Sequence, residues 1–566
     1  MKRLIIISLI LACFTACKSD DKSKQKAQNR GIIANKGMVV SAREEASKIG
    51  VDILKQGGNA FDAMMATEMA LAVCYPYAGN LAGGGFLVYR LADGSKGALD
   101  YREKAPLASS KDMYLDEDGH IIKGKSTVGA LSVGVPGTIA GIFKAQKRFG
   151  NLDVETILRP VINLSEKGYV ITSKQEQRIL KYDSIFKVVN GNEILYNKNL
   201  KSGDTIKNIQ LANTLKRIVK HGRDEFYKGE TAIKLKNFLN SKGGIITLED
   251  LENYEAVWRD PVSFNYDNLT ITSMSPPSSG GICLAQIMKM VEPYDLKSHG
   301  HNSLKSIQLM VEAERRAYAD RSFYLGDPDF IDIPIDTLIN DNYIENRMFD
   351  FSFDKPTESR SITHGKITGY ESDETTHYSI VDQFGNAIAV TTTINGGYGS
   401  KLFVDELGFF LNNEMDDFSS KPGHPNSYGL VGAEANSIAP EKRMLSSMTP
   451  TIVEKDGAFY MSVGTPGGST IITSVFQTII NVYEHDLTMQ EAVNAPRFHH
   501  QWLPDEIRIE PHGFSTDIIE QLEQKGYNIN VKRSPIIGKV DGILKLEDGK
   551  LEGGADYRGD DTAVGF

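Results

Sequence analysis

The sequence predicts a mixed α+β fold, arranged either as two lobes or as one large layered domain. At 566 residues the chain exceeds the length at which a single simple core stops growing. Its content of 41% hydrophobic and 24% charged residues is that of a globular protein. Segments with the two-residue alternation of strands lie in the first hundred residues and after residue 375, whereas helical periodicity dominates the middle of the chain.

The charge and the cysteines exclude several classes of function. A net charge of -10 at pH 7, without an arginine-rich run, argues against nucleic acid as a partner. Of the four cysteines, Cys13 and Cys17 lie in the N-terminal segment, so the other two are too few for a disulfide framework. Cys74 and Cys283 stand among apolar residues and are predicted to be buried. The cysteines show no metal-ligand spacing, and we expect no metal and no cofactor.

Residues 1–17 have the features of a targeting segment. Basic residues follow Met1, and the apolar run after them is too short to span a bilayer as a mature helix. The residues before Cys17 resemble a bacterial lipoprotein cleavage site, which predicts a lipid on Cys17; Cys13 is an alternative, and a plain secretory signal is another. Residues 18–36 begin with a charged, polar run that predicts a tether. We expect a location on the periplasmic or cell-surface side of a bacterial envelope, lipid-anchored or soluble.

The folded part opens with a strand and two helices. The strand covers 37–41, and the helix after it carries an apolar face until Gly57 and Gly58 stop it. Residues 60–73 are apolar nearly all round, which predicts a core helix. A glycine cluster at 79–85 then precedes a strand. A dinucleotide-binding loop instead follows a strand and opens a helix, so a nucleotide site is disfavoured.

A second strand is predicted at 98–102, and a helical region follows it. The strand ends on Arg102, for which a surface ion pair is the simplest interpretation. The helices predicted after it include 154–167, 211–221 and 303–321. A loop rich in proline and glycine, 274–281, joins a strand to a helix.

The stretch around Thr375 separates a surface loop from a β-hairpin. Residues 354–373 lack apolar periodicity and are rich in charged and turn-forming residues, which predicts an exposed loop. The alternation after Thr375 predicts a strand, a short turn and a returning strand that ends near Thr393. If these strands pair around the turn, Thr375 lies opposite Thr393 or one of the two residues after it, the second of which is Asn395.

Cleavage of the bond between Glu374 and Thr375 would give Thr375 its own base. The new α-amino group, with an ordinary pKa of about 7.7 to 8.0, would sit on the same residue as the hydroxyl nucleophile. Thr393 is then placed to orient both groups, as the third member of a triad does. A pair of threonines by itself is more typical of an ordinary strand start, so the hypothesis depends on the neighbouring motifs.

Two loops after the hairpin carry polar side chains. Residues 412–418 are rich in carboxylates. The stretch 419–440, which contains Tyr428, is rich in Gly, Pro, Asn and Ser, and its length without periodicity is typical of a lid. Ser446 and Ser447 supply a pair of hydroxyls where the next strand opens.

A glycine turn follows, and then a histidine pair. Gly467 and Gly468 precede a long apolar helix, and backbone N–H groups at such a turn can hold an anion or a developing oxyanion; a simple tight turn is the alternative. His499 and His500 lie near Trp502. Because adjacent side chains point in different directions and no third ligand is evident, packing is favoured over metal binding.

With these motifs in their order, the chain resembles the γ-glutamyltransferases, or γ-glutamyltranspeptidases, of the N-terminal-nucleophile hydrolase superfamily. The resemblance extends from about Gly37 to the C-terminus. The matching segments are 57–60, 83–86, 276–281, 375–379, 412–418, 445–448, 466–469 and 494–502. The resemblance implies a four-layer αββα sandwich, formed as one catalytic domain by a large subunit, 37–374, and a small subunit, 375–566, after self-cleavage between Glu374 and Thr375.

The resemblance also implies a role for each matched residue. Thr375 is the nucleophile, supported by Thr393; Arg102, Ser446 and Ser447 bind the α-carboxylate of the substrate; Asn395, Glu414 and Asp417 bind its α-amino group; Gly467 and Gly468 form the oxyanion hole; Tyr428 covers the pocket. The family has Gln or Glu at the position of Glu414. Met444 stands where proline is common, which would loosen the loop of the two serines slightly.

The implied activity is transfer of a γ-glutamyl group. Its donors are glutathione and related γ-glutamyl compounds, and its acceptors are water, amino acids or peptides. Two other functions are weighed against it. An amidase for another acyl group, such as a cephalosporin side chain, is disfavoured by Arg102, Asp417 and Ser446. An uncut, inactive lipoprotein that binds peptides would not need Thr375.

Overall fold

The computed structural model describes residues 29–362, 375–424, 426, 432–532 and 536–566. Cys17, Glu374 and Tyr428 therefore lie outside the described residues, as does the signal segment. Within the described part, two seven-stranded antiparallel sheets lie between two groups of helices. Strands and helices are numbered in chain order. None of the described helices is both long enough and apolar enough to span a membrane.

The first sheet combines strands from both sides of residue 374. In spatial order it contains β21 (Thr562–Gly565), β2 (Met38–Ser41), β10 (Thr376–Val381), β11 (Ala387–Thr393), β3 (Gly84–Arg90), β4 (Lys96–Asp100) and β7 (Val257–Arg259). The predicted hairpin is β10 and β11. It lies in the middle of the sheet, where β10 pairs with β2 and β11 pairs with β3. A cut before Thr375 would leave these strand pairings in place.

The second sheet also draws on both parts of the chain. In spatial order it contains β1 (Ile32–Ala34), β20 (Leu551–Gly554), β19 (Asp541–Lys545), β15 (Ala458–Gly464), β14 (Thr451–Lys455), β9 (Leu269–Ser273) and β8 (Val262–Tyr266). The short strands outside the two sheets are β5 (Tyr169–Val170), β6 (Thr205–Ile206), β12 (Phe403–Val404), β13 (Phe409–Phe410), β16 (Phe498–His499), β17 (Ile507–Ile509) and β18 (Ile529–Asn530).

One group of helices covers the outer face of the first sheet. It contains α1 (Glu44–Lys55), α2 (Ala60–Cys74), α3 (Thr138–Phe149), α4 (Val154–Lys167), α5 (Ser173–Asn190), α6 (Ile209–His221), α7 (Arg223–Tyr227), α8 (Glu230–Ser241) and α9 (Leu248–Glu252). Every residue of α2 is buried, which confirms the predicted core helix. Asn59 caps this helix by accepting from the Phe61 and Asp62 amides.

The other group of helices covers the outer face of the second sheet. It contains α10 (Gly280–Val291), α11 (Leu296–His299), α12 (Leu304–Tyr324), α13 (Ile335–Leu338), α14 (Asp341–Met348), α15 (Thr470–Tyr483), α16 (Met489–Asn494) and α17 (Thr516–Lys525). Their apolar side chains form one cluster with β8, β9, β14, β15 and β19.

The two sheets face each other across a third apolar cluster. Strand alternation explains it, because successive side chains point to opposite faces. In β3, Phe86 and Val88 point between the sheets, whereas Leu87 packs against the helices. Ile452 and Ile543 reach the same central cluster from the second sheet. The layers are thus helix, sheet, sheet and helix, as the αββα prediction requires.

Two predictions, one about a strand end and one about a loop, need correction. The strand predicted at 98–102 ends at Asp100. The loop from residue 354 is not wholly exposed, because Ser359 is buried. The Ser359 amide donates to Asp505 at 2.8 Å, and the Trp502 indole donates to the Ser359 carbonyl at 2.8 Å. Cys74 and Cys283 are buried as predicted.

Candidate active site

The hairpin of the first sheet brings two threonine hydroxyls together. Thr376 pairs with Thr392 in the β10–β11 ladder, so the next pair outward is Thr375 and Thr393. Their hydroxyl oxygens lie 3.4 Å apart, and the two side chains are buried. The Asn395 amide donates to the Thr393 hydroxyl at 2.7 Å. The register predicted from the sequence is confirmed.

A buried hydrogen-bond network, which was not predicted from the sequence, holds Thr393 in place. The Asn80 side chain donates to the Thr393 carbonyl at 3.0 Å and to the Thr392 hydroxyl at 3.2 Å. The Thr392 hydroxyl donates to Glu68 at 3.0 Å. Burial raises the pKa of Glu68 to about 7. Neither Asn80 nor Glu68 stands in a motif that distinguishes it from other polar residues near a helix or a glycine turn.

Arg102 lies inside the protein, two residues beyond the end of β4. Its side chain is 1% exposed, so the interpretation as a surface ion pair is wrong. One terminal nitrogen donates to Glu414 and the other donates to Asp417. The Arg102 Nε donates to the Met444 carbonyl at 3.2 Å. A short 3₁₀ helix, Glu414–Asp417, presents both carboxylates to the same guanidinium.

This ion cluster contains a third carboxyl group. Glu103 lies 3.8 Å from the guanidinium of Arg102. Burial and the charge of Glu414 raise the pKa of Glu103 well above its ordinary range. Burial also raises the pKa values of Glu414 and Asp417, although Arg102 opposes the shift in both. Burial lowers the pKa of Arg102, but Glu414 and Asp417 outweigh it and raise the pKa, so Arg102 stays charged.

Ser446 is fixed by the loop between β9 and α10. The Ser446 amide donates to the Pro277 carbonyl at 2.9 Å. The Ser446 carbonyl accepts from both the amide and the hydroxyl of Ser279, at 2.8 and 2.7 Å. The Ser446 hydroxyl accepts from the Met448 amide at 3.1 Å. The Pro/Gly-rich loop predicted at 274–281 therefore holds Ser446 in place, and Ser447 follows it directly in the chain.

These groups line one cavity. Its walls are formed by Arg102, Arg321, Thr375, Thr393, Asn395, Glu414, Asp417, Asn426, Leu445, Ser446, Ser447, Met448, Gly468 and Ile471. Nine of the residues predicted from the sequence are therefore brought together, and Gly467 lies next to Gly468. Arg321 is not predicted from the sequence, because an arginine near the end of a helix is common without any role in a site.

The glycine turn has a backbone that other residues rarely adopt. Gly467 and Gly468 have φ angles of +141° and +53°. A Cβ atom on Gly467 would lie 2.4 Å from the Thr470 hydroxyl, too close for a side chain. The Gly467 carbonyl accepts from the amide and the hydroxyl of Thr470 at the start of α15. The turn is thus fixed to the beginning of that helix.

Both histidines of the pair are buried and take part in packing contacts, as expected. His499 Nδ1 lies 2.9 Å from the Thr473 hydroxyl. His500 Nδ1 accepts from the Trp502 amide at 3.1 Å, and burial lowers the pKa of His500 to about 4. Across the described ranges, no three His, Cys, Asp or Glu side chains are grouped so that they could hold a metal ion.

Comparison with known proteins identifies relatives over most of the chain. A family model described as Gamma-glutamyltranspeptidase matches residues 46–566. A glutathione hydrolase proenzyme of Escherichia coli (strain K12) is 45% identical over 540 residues, which cover 94% of this chain and 93% of that protein. An Acylase ACY 1 proenzyme of Pseudomonas sp. (strain SE83) is 33% identical over 540 residues, which cover 94% and 93%.

Solved structures share the fold. Cephalosporin acylase from Bacillus halodurans superposes with a TM-score of 0.82 over 95% of this chain and 97% of that chain, at 23% identity. The gamma-glutamyltranspeptidase of Helicobacter pylori has a TM-score of 0.56 and 39% identity over 59% of this chain and 96% of that chain. From the family match and the identity over nearly its whole length, this chain belongs to the gamma-glutamyltranspeptidase family.

Proposed function

We propose that the protein is a self-processing γ-glutamyltransferase and glutathione hydrolase with Thr375 as its nucleophile. The proposal is carried by one observation: Thr375 lines the same cavity as a buried guanidinium and two carboxylates. A γ-glutamyl group ends in a free α-amino acid, which has one negative and one positive group. A site for it needs a cation and anionic acceptors beside the nucleophile.

The charges of the cavity match those two groups. The α-carboxylate binds Arg102 and the hydroxyls of Ser446 and Ser447, because guanidinium and hydroxyl donors suit carboxylate oxygens. The α-ammonium binds Glu414 and Asp417, with Asn395 beside them. In the described structure these carboxylates pair with Arg102, so donor binding exchanges ion pairs within the site for ion pairs with the substrate.

Catalysis proceeds through an acyl-enzyme. The Thr375 oxygen attacks the γ-carbonyl, while the α-amino group of Thr375 takes the hydroxyl proton. The amides of Gly467 and Gly468 stabilise the oxyanion, and each such donor is typically worth about 3 kcal/mol. The amide C–N bond then breaks, and the proton passes to the leaving amine. Water or the amine of an acceptor finally attacks the ester and restores the Thr375 hydroxyl.

The same hydroxyl first cleaves the precursor. It attacks the Glu374 carbonyl, and the peptide C–N bond breaks as the ester forms, which frees the α-amino group of Thr375 with the hydroxyl proton passing to it. Water then hydrolyses the ester, which releases the carboxylate of Glu374 and restores the Thr375 hydroxyl. The products are a large subunit that ends at Glu374 and a small subunit that begins at Thr375. Their association after cleavage is supported by the two sheets, each of which contains strands from both subunits.

The N-terminal segment adds a proposal about location. Residues 1–17 direct export, and Cys17 becomes the lipidated first residue of a protein held outside the cytoplasm. The test is labelling of the protein with a radioactive fatty acid in wild type and Cys17→Ala. Label that persists in Cys17→Ala would contradict the proposal.

An amidase for another acyl group is the second candidate. It is favoured by the 33% identity to an acylase proenzyme. The buried cluster of Arg102, Glu414 and Asp417 argues against it, because an acyl chain without an α-amino acid group would leave these charges unmatched. The third candidate, an uncut peptide-binding lipoprotein, gives no reason for the Thr375 hydroxyl to lie beside that of Thr393.

A comparison of three proteins tests the proposed function: wild type, Thr375→Ala and Thr375→Ser. Wild type runs as two fragments on a denaturing gel and hydrolyses a γ-glutamyl anilide, faster when a dipeptide acceptor is added. Thr375→Ala runs as one chain without activity. Thr375→Ser keeps a hydroxyl and is cut and active. A wild type that stays uncut yet turns over the anilide would overturn the mechanism, and cleavage of a glutaryl anilide in preference to the γ-glutamyl anilide would favour the amidase.

A further inference from the structure

Arg321 is a second arginine of the cavity with no role in the mechanism above. It lies near the C-terminal end of α12, the residue is 3% exposed, and it lines the cavity beside Ser447. The Arg321 Nη2 donates to the Ser447 hydroxyl at 3.0 Å, and its Nε donates to the Ser279 hydroxyl at 2.9 Å. Its two hydrogen bonds thus go to serine hydroxyls.

Those contacts connect Arg321 to both serines of the carboxylate site. The contact with Ser447 is direct. The contact with Ser446 goes through Ser279, whose hydroxyl accepts from Arg321 and donates to the Ser446 carbonyl at 2.7 Å. One rigid guanidinium therefore fixes the position of two neighbouring residues, which are 125 and 126 positions away in the sequence.

The direction of these hydrogen bonds matters for substrate binding. A serine hydroxyl has one hydrogen to donate and two lone pairs that accept. Because Ser447 accepts from Arg321, its hydrogen is left to donate toward the cavity. Acceptance from a charged donor also polarises the hydroxyl, which makes it a stronger donor to an anion. Ser446 likewise accepts from the Met448 amide and keeps its hydrogen for the cavity.

We propose that Arg321 is a positioning residue for the donor. It holds Ser446 and Ser447 with their hydroxyl hydrogens directed at the α-carboxylate, and it thereby helps to select donors that carry this group. Arg102 binds the carboxylate directly, whereas Arg321 acts through the two serines. This inference rests on the proposed function, since it assigns a selective role within the same γ-glutamyl site.

The test compares two anilide donors that differ only in the α-carboxylate: the γ-glutamyl anilide and the 4-aminobutanoyl anilide. For Arg321→Met we expect kcat/KM on the γ-glutamyl donor to fall by about tenfold to a hundredfold, mostly through KM, because two charge-assisted hydrogen bonds are lost. On the 4-aminobutanoyl donor we expect a change below about twofold, because it has no group for the serines to bind. Arg321→Lys keeps the positive charge but loses the planar guanidinium with its several donors. Its kcat/KM on the γ-glutamyl donor should lie between those of wild type and Arg321→Met.

Two further variants separate positioning from a general structural effect. Arg316→Met removes a buried arginine of the same helix, which pairs with Glu312 and Asp350 outside the cavity. It should change kcat/KM for both donors by the same factor. Ser279→Ala keeps Arg321 but breaks the link to Ser446. It should reduce kcat/KM on the γ-glutamyl donor alone, by about threefold to tenfold, and it decides the question if Arg321→Met does not fold.

A double substitution gives the sharpest outcome. If Arg321 acts through Ser447, Arg321→Met combined with Ser447→Ala should lose little more activity on the γ-glutamyl donor than the worse single variant. Arg321→Met could instead lose kcat/KM equally on both donors, or the losses of the two substitutions could be additive in the double variant. Either result would overturn the inference. If the wild type is active on the γ-glutamyl anilide, the proposed function would still stand. A wild type without activity on the γ-glutamyl anilide would instead overturn the proposed function.

Discussion

The hydroxyl oxygens of Thr375 and Thr393 lie 3.4 Å apart because the β10–β11 hairpin places the two residues opposite each other. The central position of this hairpin in the first sheet gives the pair a rigid support. The Asn395 amide, which donates to the Thr393 hydroxyl, leaves the hydrogen of that hydroxyl to donate to Thr375 or to its α-amino group.

Removal of the Thr393 hydroxyl should slow both reactions of Thr375. For Thr393→Ala we expect self-cleavage and anilide hydrolysis to fall by about tenfold to a hundredfold, because the nucleophile loses an orienting hydrogen bond. Cleavage is followed on denaturing gels and turnover by release of the anilide chromophore. Thr393→Ser keeps the hydroxyl and is the control. An equal defect in both variants would show that the methyl group, not the hydroxyl, matters.

Replacement of Arg102 by lysine should separate donor binding from self-cleavage. Arg102→Lys keeps one positive charge but cannot reach Glu414 and Asp417 together, which leaves one buried carboxylate unpaired. We expect kcat/KM for the γ-glutamyl anilide to fall by about a hundredfold to a thousandfold, while the precursor is still cut. Steady-state kinetics and gels measure the two effects. Unchanged donor kinetics would rule out the role of Arg102.

A side chain at Gly467 should disrupt the turn beside the nucleophile. In Gly467→Ala the new Cβ would clash with the Thr470 hydroxyl, and alanine rarely adopts the φ of +141° found at this position. The turn must therefore change its conformation. We expect kcat to fall by about a hundredfold or more. Gly457→Ala is the control, because Gly457 also has a positive φ but has open space around its Cβ position in the β14–β15 turn. A normal kcat in Gly467→Ala would remove the amides of this turn from the mechanism.

Glu68 should make stability depend on pH. Burial raises its pKa from 4.5 to about 7, so the folded protein favours the neutral carboxyl. The cost of ionising it therefore begins as the pH rises above about 4.5 and is complete above about 7, where it reaches roughly 3 kcal/mol. Glu68→Gln should remove this loss. The measurement is made in the uncut Thr375→Ala background. The Tm of Glu68→Gln minus the Tm of its Thr375→Ala parent should increase as the pH is raised from about 5 to about 8. A Tm difference that stays constant with pH would contradict the expectation.

Local patterns in the sequence determined much of the fold and of the site. The alternation after Thr375 and the short turn set the hairpin register, and hence the pairing of Thr375 with Thr393. The apolar run at 60–73 specified a helix with no exposed face. The motifs around Arg102, Glu414, Ser446 and Gly467 named residues that do line one cavity or adjoin it.

The tertiary structure decided what those residues contact. The position of Arg102 after a strand is equally compatible with an arginine in a surface ion pair. Arg102 becomes a buried cation only because the Glu414–Asp417 helix packs against it. Arg321, Asn80 and Glu68 carry no local signal of a role in the site, since the site residues that they contact lie far away in the chain. Hydrophobic periodicity and turn-forming residues involve neighbours in the chain, so they can be recognised in the sequence. The burial of a charge and the direction of a hydrogen bond arise only when distant segments meet.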